Sequence, residues 1–215
     1  MKFHKLFGKP QIVGLVANSN TGKSNLIYYL IEELSKDFDF SVYAYGLRNK
    51  IQFVREFNSI EELEQIKDSL IIIDERFSLF DLDNRKIKRK IENTLRLVFH
   101  NNNVILLCGL GENFKKFLSA KLDLIIFKKV SFAELVNGSR VKNIVMNYNG
   151  VERGTAILAL RDNEAIIFDG MHYYKIEVPY LRQYDTKLNN VPIFVPKIKM
   201  EAKNGRNTHR TELSA

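Results

Sequence analysis

The chain is poor in residues that would support a disulfide-rich or membrane-spanning protein. Among its 215 residues Cys108 is the single cysteine, and proline occurs 4 times. One thiol excludes an internal disulfide and a metal site built from several thiolates, and it fits a reducing compartment. The apolar runs are only as long as strands, so we expect neither a signal peptide nor a membrane span. These absences favour a soluble globular protein of about one domain.

The charge is unbalanced. Lysine and arginine number 33 against 25 aspartate and glutamate residues, so the formal net charge is +8. Such an excess suits a polyanionic partner, of which nucleic acid is the most common. It also suits a protein whose charge serves only solubility, and composition does not separate the two. The 4 histidines are scattered along the chain and show no metal-binding spacing.

The residues present point first to the segment 11–24, which reads QIVGLVANSNTGKS. An apolar run is followed by small polar residues and by Gly22-Lys23-Ser24, and leucine and isoleucine then recur at helical spacing. A strand, a loop and a helix that begins with Gly-Lys-Ser form the context of a phosphate-binding P-loop. The chain departs from the strict motif at Ala17, where a small residue stands in place of glycine. Loop amides and a helix N-terminus favour a bound triphosphate, so we expect nucleotide binding here.

The P-loop predicts a role for several side chains. Lys23 is expected to reach the terminal phosphates and to be catalytic, and the Ser24 hydroxyl to ligate Mg²⁺. The predicted nucleotide-binding residues are Asn18, Ser19, Asn20, Thr21, Gly22, Lys23, Ser24 and Asn25.

A second signal is the segment 70–75, which reads LIIIDE. Four consecutive large aliphatic residues are typical of a strand buried on both faces, as in the centre of a parallel sheet. The two acids that follow fall where open α/β sheets bind their ligands. Asp74 is predicted to hold Mg²⁺ together with Ser24, and Glu75 to orient and deprotonate the attacking water. Because acids often end strands for structural reasons alone, this interpretation depends on the Gly-Lys-Ser upstream.

Residues 84–100 are predicted to form a helix with an apolar and a basic face. The apolar face holds Ile87, Ile91, Leu95 and Phe99, and the other face holds Arg85, Arg89 and Arg96. Three interpretations of the basic face stay open. It could hold an arginine that acts on a neighbouring subunit's nucleotide, contact a phosphate backbone, or simply be solvated.

The remaining pattern predicts the outline of the fold. Strands are expected at 40–45, 51–54, 104–108 and 122–127, and a short helix is expected to begin at Ser59 with a capping box to Glu62. Asn113 is either a sensor of the γ-phosphate or a helix N-cap. Beyond residue 138, short strands separated by hairpin signals are predicted at 141–148, 155–160, 164–168 and 173–178.

The predicted fold class is therefore α/β. We expect a P-loop NTPase core with a mostly parallel sheet, of the RecA/FtsK type, over residues 1–138. A small antiparallel β appendage packed on this core is expected over 139–195, and a basic, flexible tail over 196–215. Lys23, Ser24, Asp74 and Glu75 together indicate hydrolysis of the triphosphate. The Asn-Lys-x-Asp signature that selects guanine is missing from the sequence, so ATP is favoured.

The order of these motifs resembles the HerA/FtsK-type P-loop ATPases. It is most similar to the small genome-packaging ATPases of membrane-containing double-stranded DNA viruses, and next to the Zot-like phage assembly ATPases. The resemblance covers roughly residues 10–130 and is carried by GKS, IIIDE, the basic helix ending at His100, VILLC and KLDLIIF. The family often places glutamine at the end of the sensor strand. Here Gly109, Leu110 and Gly111 stand there, which leaves Asn113 as the substitute.

The resemblance implies a specific activity. ATP and Mg²⁺ would be the cofactors, and a pentameric or hexameric ring would move double-stranded DNA with an arginine supplied in trans, first Arg96 and second Arg89. It further implies a portal or capsid-vertex protein as a partner, and a location in the host cytoplasm or the virion. Two alternatives stay open: a Zot-like assembly or secretion ATPase that acts on a protein, and a regulatory ATPase of the helicase-loader or partition type.

Overall fold

The structure is a computed structural model, and it describes residues 3–18, 20–46, 53–74, 85–109, 121–130 and 157–181. The helices are α1 (Phe3–Phe7), α2 (Lys23–Ser35), α3 (Ile60–Gln65) and α4 (Arg85–His100). The strands are β1 (Gln11–Val16), β2 (Ser41–Tyr45), β3 (Val54–Glu56), β4 (Ser69–Asp74), β5 (Val104–Gly109), β6 (Leu124–Phe127), β7 (Glu164–Phe168) and β8 (Tyr173–Glu177). Within these ranges, no helix has the length and apolarity that crossing a membrane requires.

The described strands form one sheet in the order β3-β2-β4-β5-β1-β6-β7-β8. The first six strands in this order, from β3 at the edge to β6, all run parallel to one another. Strands β7 and β8 are added antiparallel beyond β6. The strand β1 therefore lies between β5 and β6, and β5 separates it from β4. Since these four strands are parallel, their carboxyl ends meet at the same edge. The prediction of an α/β fold with a mostly parallel sheet is confirmed.

Burial explains why the apolar runs form the centre of the sheet. Every residue of β1, β4 and β6 is buried, as expected for strands covered on both faces. Along β1, Ile12 and Val16 pack in the same cluster as the buried residues of α3 and α4. Val13 and Leu15 pack instead with α2. The two-residue period of the strand thus places α2 on one face of the sheet and α4 on the other.

Asn103 fixes the relative positions of three strands at their amino ends. Its side chain is buried, accepts a hydrogen bond from the Ser69 backbone N–H at 3.0 Å and donates to the Ile66 carbonyl at 2.7 Å. Its own carbonyl accepts from the Gln11 N–H at 3.2 Å. Because a buried polar group left without partners is costly, a shift in register would be penalised here. This junction sets where the carboxyl ends of β1 and β4 lie relative to each other.

The predicted strands at 164–168 and 173–178 are confirmed as the hairpin β7–β8. Asp169 shapes the turn, since its Oδ1 accepts from the backbone N–H groups of Met171 at 2.9 Å and His172 at 2.7 Å. The hairpin continues the main sheet, because β7 pairs antiparallel with β6. The division of the chain at residues 138 and 195 stays a prediction.

Two local predictions are wrong. Residues 157–159, expected to be part of a strand, form a helical turn in which the Leu160 N–H donates to the Ile157 carbonyl at 3.4 Å. Ile157 and Leu160 are both buried in one cluster, and residues three apart share a side in a helix but not in a strand. In α4, Phe99 is 46% exposed, not packed inward like Leu95. Each step of four residues rotates a helix position by about 40°, so a row of such steps turns away from the core.

Other local predictions fare better. The helix α3 begins at the predicted capping box, where Ser59 Oγ accepts from the Glu62 N–H at 3.2 Å. The strand expected at 51–54 begins instead at Val54 and runs to Glu56; Phe53 is in a turn, and residues 51–52 lie outside the described ranges. The predictions for Asn113, for the strand at 141–148 and for the tail at 196–215 also fall on residues that the structure does not describe.

Candidate active site

Lys23 and Asp74 form a buried ion pair at the carboxyl edge of the parallel sheet. Lys23 is the first residue of α2 and Asp74 is the last residue of β4. The Lys23 Nζ lies 2.6 Å from Asp74 Oδ1, and the two side chains are 10% and 6% exposed. Register explains the meeting: Asp74 is level with Cys108 on β5, which is level with Leu15 on β1. The structure therefore brings together two of the predicted site residues.

The predicted P-loop leaves the sheet between β5 and β6. The Ala17 N–H donates to the Gly109 carbonyl at 3.1 Å, and the Asn18 N–H donates to the Lys129 carbonyl at 3.4 Å. The loop ends at Gly22, whose φ of 80° is in the left-handed region that favours glycine. From there the Gly22 carbonyl accepts from the Leu26 N–H at 3.0 Å and begins α2. The small residues of the motif thus serve a sharp turn from strand to helix.

The start of α2 suits an anion. Its N-cap is Gly22, which has no side chain that could accept from the N–H groups of the first turn, and no acidic residue lies in that turn. The first N–H groups of a helix have no partner within the helix and carry a partial positive charge. Together with the Lys23 ammonium, the N-terminus of α2 therefore carries the positive charge that an anionic group requires.

The other predicted P-loop residues differ in what their side chains do. Thr21 is buried, and its hydroxyl donates to the Asn18 carbonyl at 2.8 Å, so it holds the loop in shape. Asn20 and Ser24 are exposed. Ser19 and Glu75 lie outside the described residues, and their roles stay predictions.

Asn25 has a contact that the sequence did not predict. Its Nδ2 donates to the Pro179 carbonyl at 2.9 Å, and its Oδ1 accepts from the Leu181 N–H at 2.8 Å. Both ends of the amide therefore hold the segment that follows β8. The predicted contact of Asn25 with nucleotide stays a prediction, and in this arrangement it would fall to the backbone N–H.

Lys128 is a further residue at the site that sequence analysis did not select. It follows β6 directly and is fully buried, with a relative exposure of 0%. Its Nζ donates to the Asp162 carbonyl and lies beside Gly22. Burial lowers the pKa of Lys128, and the nearby carboxylates of Asp162 and Glu164 partly oppose that shift. A lysine directly after an apolar strand was the available signal, but it did not show where the side chain points.

The two predicted arginines lie apart from this site. Arg89 and Arg96 are exposed on α4, which packs on the opposite face of the sheet from α2. Lys90 on the same helix pairs with Glu61 of α3, and this hydrogen bond lowers the pKa of the Glu61 carboxyl. An action of Arg89 or Arg96 on nucleotide therefore requires the site of another subunit.

The fold and the loop define a class: the chain has the fold of P-loop nucleoside triphosphatases. It is similar in structure to the DNA-packaging ATPase B204 of Sulfolobus turreted icosahedral virus, with a TM-score of 0.59 and 16% identity over 80% of this chain and 98% of that one. The genome-packaging NTPase B204 of Sulfolobus turreted icosahedral virus 2 in complex with ATP-γS gives a TM-score of 0.56 and 20% identity, again over 80% and 98% of the two chains. The conjugation coupling protein TcpA of pCW3 gives a TM-score of 0.55 and 11% identity, over 86% of this chain and 66% of that one.

These likenesses confirm the predicted resemblance at the level of the fold. No protein-family model matches the sequence, and no curated protein matches it. At such identities the comparisons establish architecture, and the activity has to be inferred from the site.

Proposed function

We propose that the chain is a Mg²⁺-dependent ATPase. The observation that carries this proposal is the buried Lys23–Asp74 pair at 2.6 Å, placed where a loop with a left-handed Gly22 begins α2. A buried ion pair is weak evidence for a purely stabilising role, because well-packed apolar residues of similar volume often stabilise as well. A lysine and a carboxylate are the groups that a magnesium-bound triphosphate requires on its two sides.

The residues fit a magnesium ion. Mg²⁺ prefers oxygen ligands and is usually held by one or two carboxylates together with substrate phosphates and waters. The Asp74 carboxylate and the Ser24 hydroxyl supply such oxygens from β4 and α2. When bound, the ion neutralises part of the negative charge that develops on the phosphates during transfer.

The protein groups then have separate tasks. The terminal phosphates of ATP take the place of Asp74 at the Lys23 ammonium, which leaves the Asp74 carboxylate to the metal. The N-terminus of α2 holds the phosphates in place. Glu75, the residue after Asp74, orients the attacking water and accepts its proton. Most of the rate enhancement then comes from positioning and charge, and little covalent chemistry is asked of the protein.

We further propose that the ATPase works as a ring that moves double-stranded DNA, as a packaging motor with a portal or capsid-vertex protein as its partner. The net charge of +8 and the exposed Arg89 and Arg96 on α4 support contact with a polyanion or with a neighbouring subunit's nucleotide. The viral packaging enzymes that share the fold support the same choice.

Release of phosphate from ATP, with and without double-stranded DNA over a series of salt concentrations, tests both proposals. We expect DNA to stimulate turnover, and the stimulation to fall steeply with salt because phosphate contacts release counterions. The K23M and E75Q variants are the controls: K23M should not bind ATP, whereas E75Q should bind it without turnover. An inactive chain under every condition would contradict the ATPase. Turnover that does not change when DNA is added would agree with the proposed ATPase activity, and it would favour the secretion or regulatory alternative over the DNA motor.

A subunit-mixing experiment tests the ring and its arginine. R96A keeps its own nucleotide site and K23M keeps its arginine, so a mixture should recover activity that neither variant has alone. Loss of an arginine finger supplied by a neighbouring subunit lowers turnover about a thousandfold or more. The same mixture with R89A examines the second arginine, and K86A on the same helix is the matched control. Light scattering with an ATP analogue measures the ring size, and a monomer under all conditions would contradict the ring.

A further inference from the structure

Lys128 is a buried cation without a compensating ion pair among the described residues. Its exposure is 0%, and no carboxylate in the described ranges forms a salt bridge with it. The carboxylate of Glu164 is already engaged by Lys175 at 2.8 Å and by the Arg161 N–H at 3.0 Å. Burying a charge without pairing it is unfavourable by several kcal/mol. Such a charge calls for a reason other than stability.

The contacts of Lys128 span both ends of the P-loop. Its backbone N–H donates at 2.9 Å to the carbonyl of Val16, the last residue of β1 before the loop. Its side chain reaches the other end, where Nζ lies 3.5 Å from the position that a Cβ on Gly22 would take. The Nζ donates there to the Asp162 carbonyl, itself 3.2 Å from the same position. One residue therefore connects the entry of the loop, its exit and the turn before β7.

We propose that Lys128 is a positioning residue of the P-loop, and that its buried charge adds to that of Lys23 in selecting a polyphosphate. This inference rests on the proposed nucleotide binding and extends it to a second cation. A charge with low exposure is weakly screened by solvent and acts over longer distances than one at the surface. Its effect therefore grows with the number of phosphate charges on the ligand. If Lys128 only held the loop in shape, its removal would instead weaken the binding of all nucleotides to the same extent.

Dissociation constants of Mg-ATP and of AMP, measured by calorimetry on the full chain, test the proposal. K128M removes the charge and keeps the length of the side chain, and K128Q removes the charge but keeps a donor for the Asp162 carbonyl. We expect both variants to weaken ATP about tenfold and AMP no more than about twofold. K129M is the matched control, since Lys129 is the exposed neighbour, and it should leave both constants unchanged.

Thermal unfolding keeps the experiment decisive. A methionine in a buried position removes the desolvation of an ammonium, so K128M should be at least as stable as the unmodified chain. K128Q covers the case in which K128M does not fold. Equal weakening of ATP and AMP in these variants, or no weakening, overturns the selection by charge. Failure of the unmodified chain to bind ATP overturns the proposed function as well, so the two failures are distinguishable.

Discussion

The ammonium of Lys23 lies 2.6 Å from a carboxylate oxygen of Asp74, although the two residues are 51 positions apart in the chain. Strand β5 lies between β4, which ends at Asp74, and β1, which precedes the loop to Lys23. The pair holds the start of α2 against the end of β4. Both charges are buried, and each is a counter-ion of the other at this short distance. Any ligand that binds Lys23 must offer an equal or greater negative charge, and a triphosphate does so.

This dependence gives a first prediction, on stability without nucleotide. Removal of one partner takes away a counter-ion of a buried charge, so K23M and D74L should each lower the free energy of unfolding by about 3 kcal/mol. The double variant K23M/D74L should recover most of that loss, because neither of the two charges is then present to be buried. Urea unfolding measures the three values. The exposed pair Lys36–Glu33 is the control, and K36M should change stability by less than about 1 kcal/mol. Additive losses in the double variant would contradict the coupling.

A second prediction concerns the glycine before Lys23. G22A forces alanine to a φ of 80° and brings its Cβ within 3.2 Å of the Asp162 carbonyl. We expect a loss of stability of roughly 1–3 kcal/mol, together with weaker ATP binding because the loop must shift. Gly170 is the matched control, since its φ is 96° and nothing lies within 4 Å of its added Cβ. Equal losses of stability for G22A and G170A would show that the backbone angle alone matters and that the contact with Asp162 does not.

A third prediction concerns the two hydrogen bonds of Asn25. N25L removes both the bond to the Pro179 carbonyl and the bond from the Leu181 N–H, so it should release the segment after β8. In the sequence Arg182 follows Leu181, and trypsin cleavage after Arg182 should therefore become faster than in the unmodified chain. N25D keeps the acceptor for the Leu181 N–H but loses the donor, and should give an intermediate rate. Each bond contributes about 1 kcal/mol. Identical cleavage rates in the three proteins would rule out this attachment.

The fourth prediction is a dependence of stability on alkaline pH. Burial lowers the pKa of Lys128, with Asp162 and Glu164 opposing the shift, whereas in the unfolded chain this pKa is about 10.4. Between the lowered pKa and this upper value the unfolded chain binds more protons than the folded one, so the free energy of unfolding rises with pH. K128M lacks the effect. Its stability advantage over the unmodified chain should therefore shrink as the pH rises through this window in urea unfolding. Parallel curves for the two proteins would contradict the lowered pKa.

The sequence predicts an element well when the contacts that form it lie close together in the chain, and poorly when they lie far apart. The apolar segments 70–73 and 122–127 predicted strands that the structure has at Ser69–Asp74 and Leu124–Phe127, because a strand buried on both faces needs an apolar run whatever its neighbours are. The N-cap at Ser59 was predictable because its partner, the Glu62 N–H, is only three residues away. Phe99 was predicted wrongly because the helical rotation carries it past the face that α4 buries. Within the predicted strand 155–160, residues 157–160 were predicted wrongly, because a helical turn lets Ile157 and Leu160 both reach the core.

The sequence by itself determined that a loop ending in Gly-Lys-Ser follows a buried strand, and that an aspartate ends another buried strand. Both are local patterns, and the physics that requires them acts within a few residues. The sequence predicted Lys23 and Asp74 at one site, but the tertiary structure alone decided that they form a direct ion pair. It also decided that Asn25 holds Pro179 and Leu181, and that Lys128 reaches Gly22. These contacts join residues that are far apart in the chain, and they follow from the order and register of the strands. No period or spacing in the sequence encodes that order, because it results from the packing of the whole sheet.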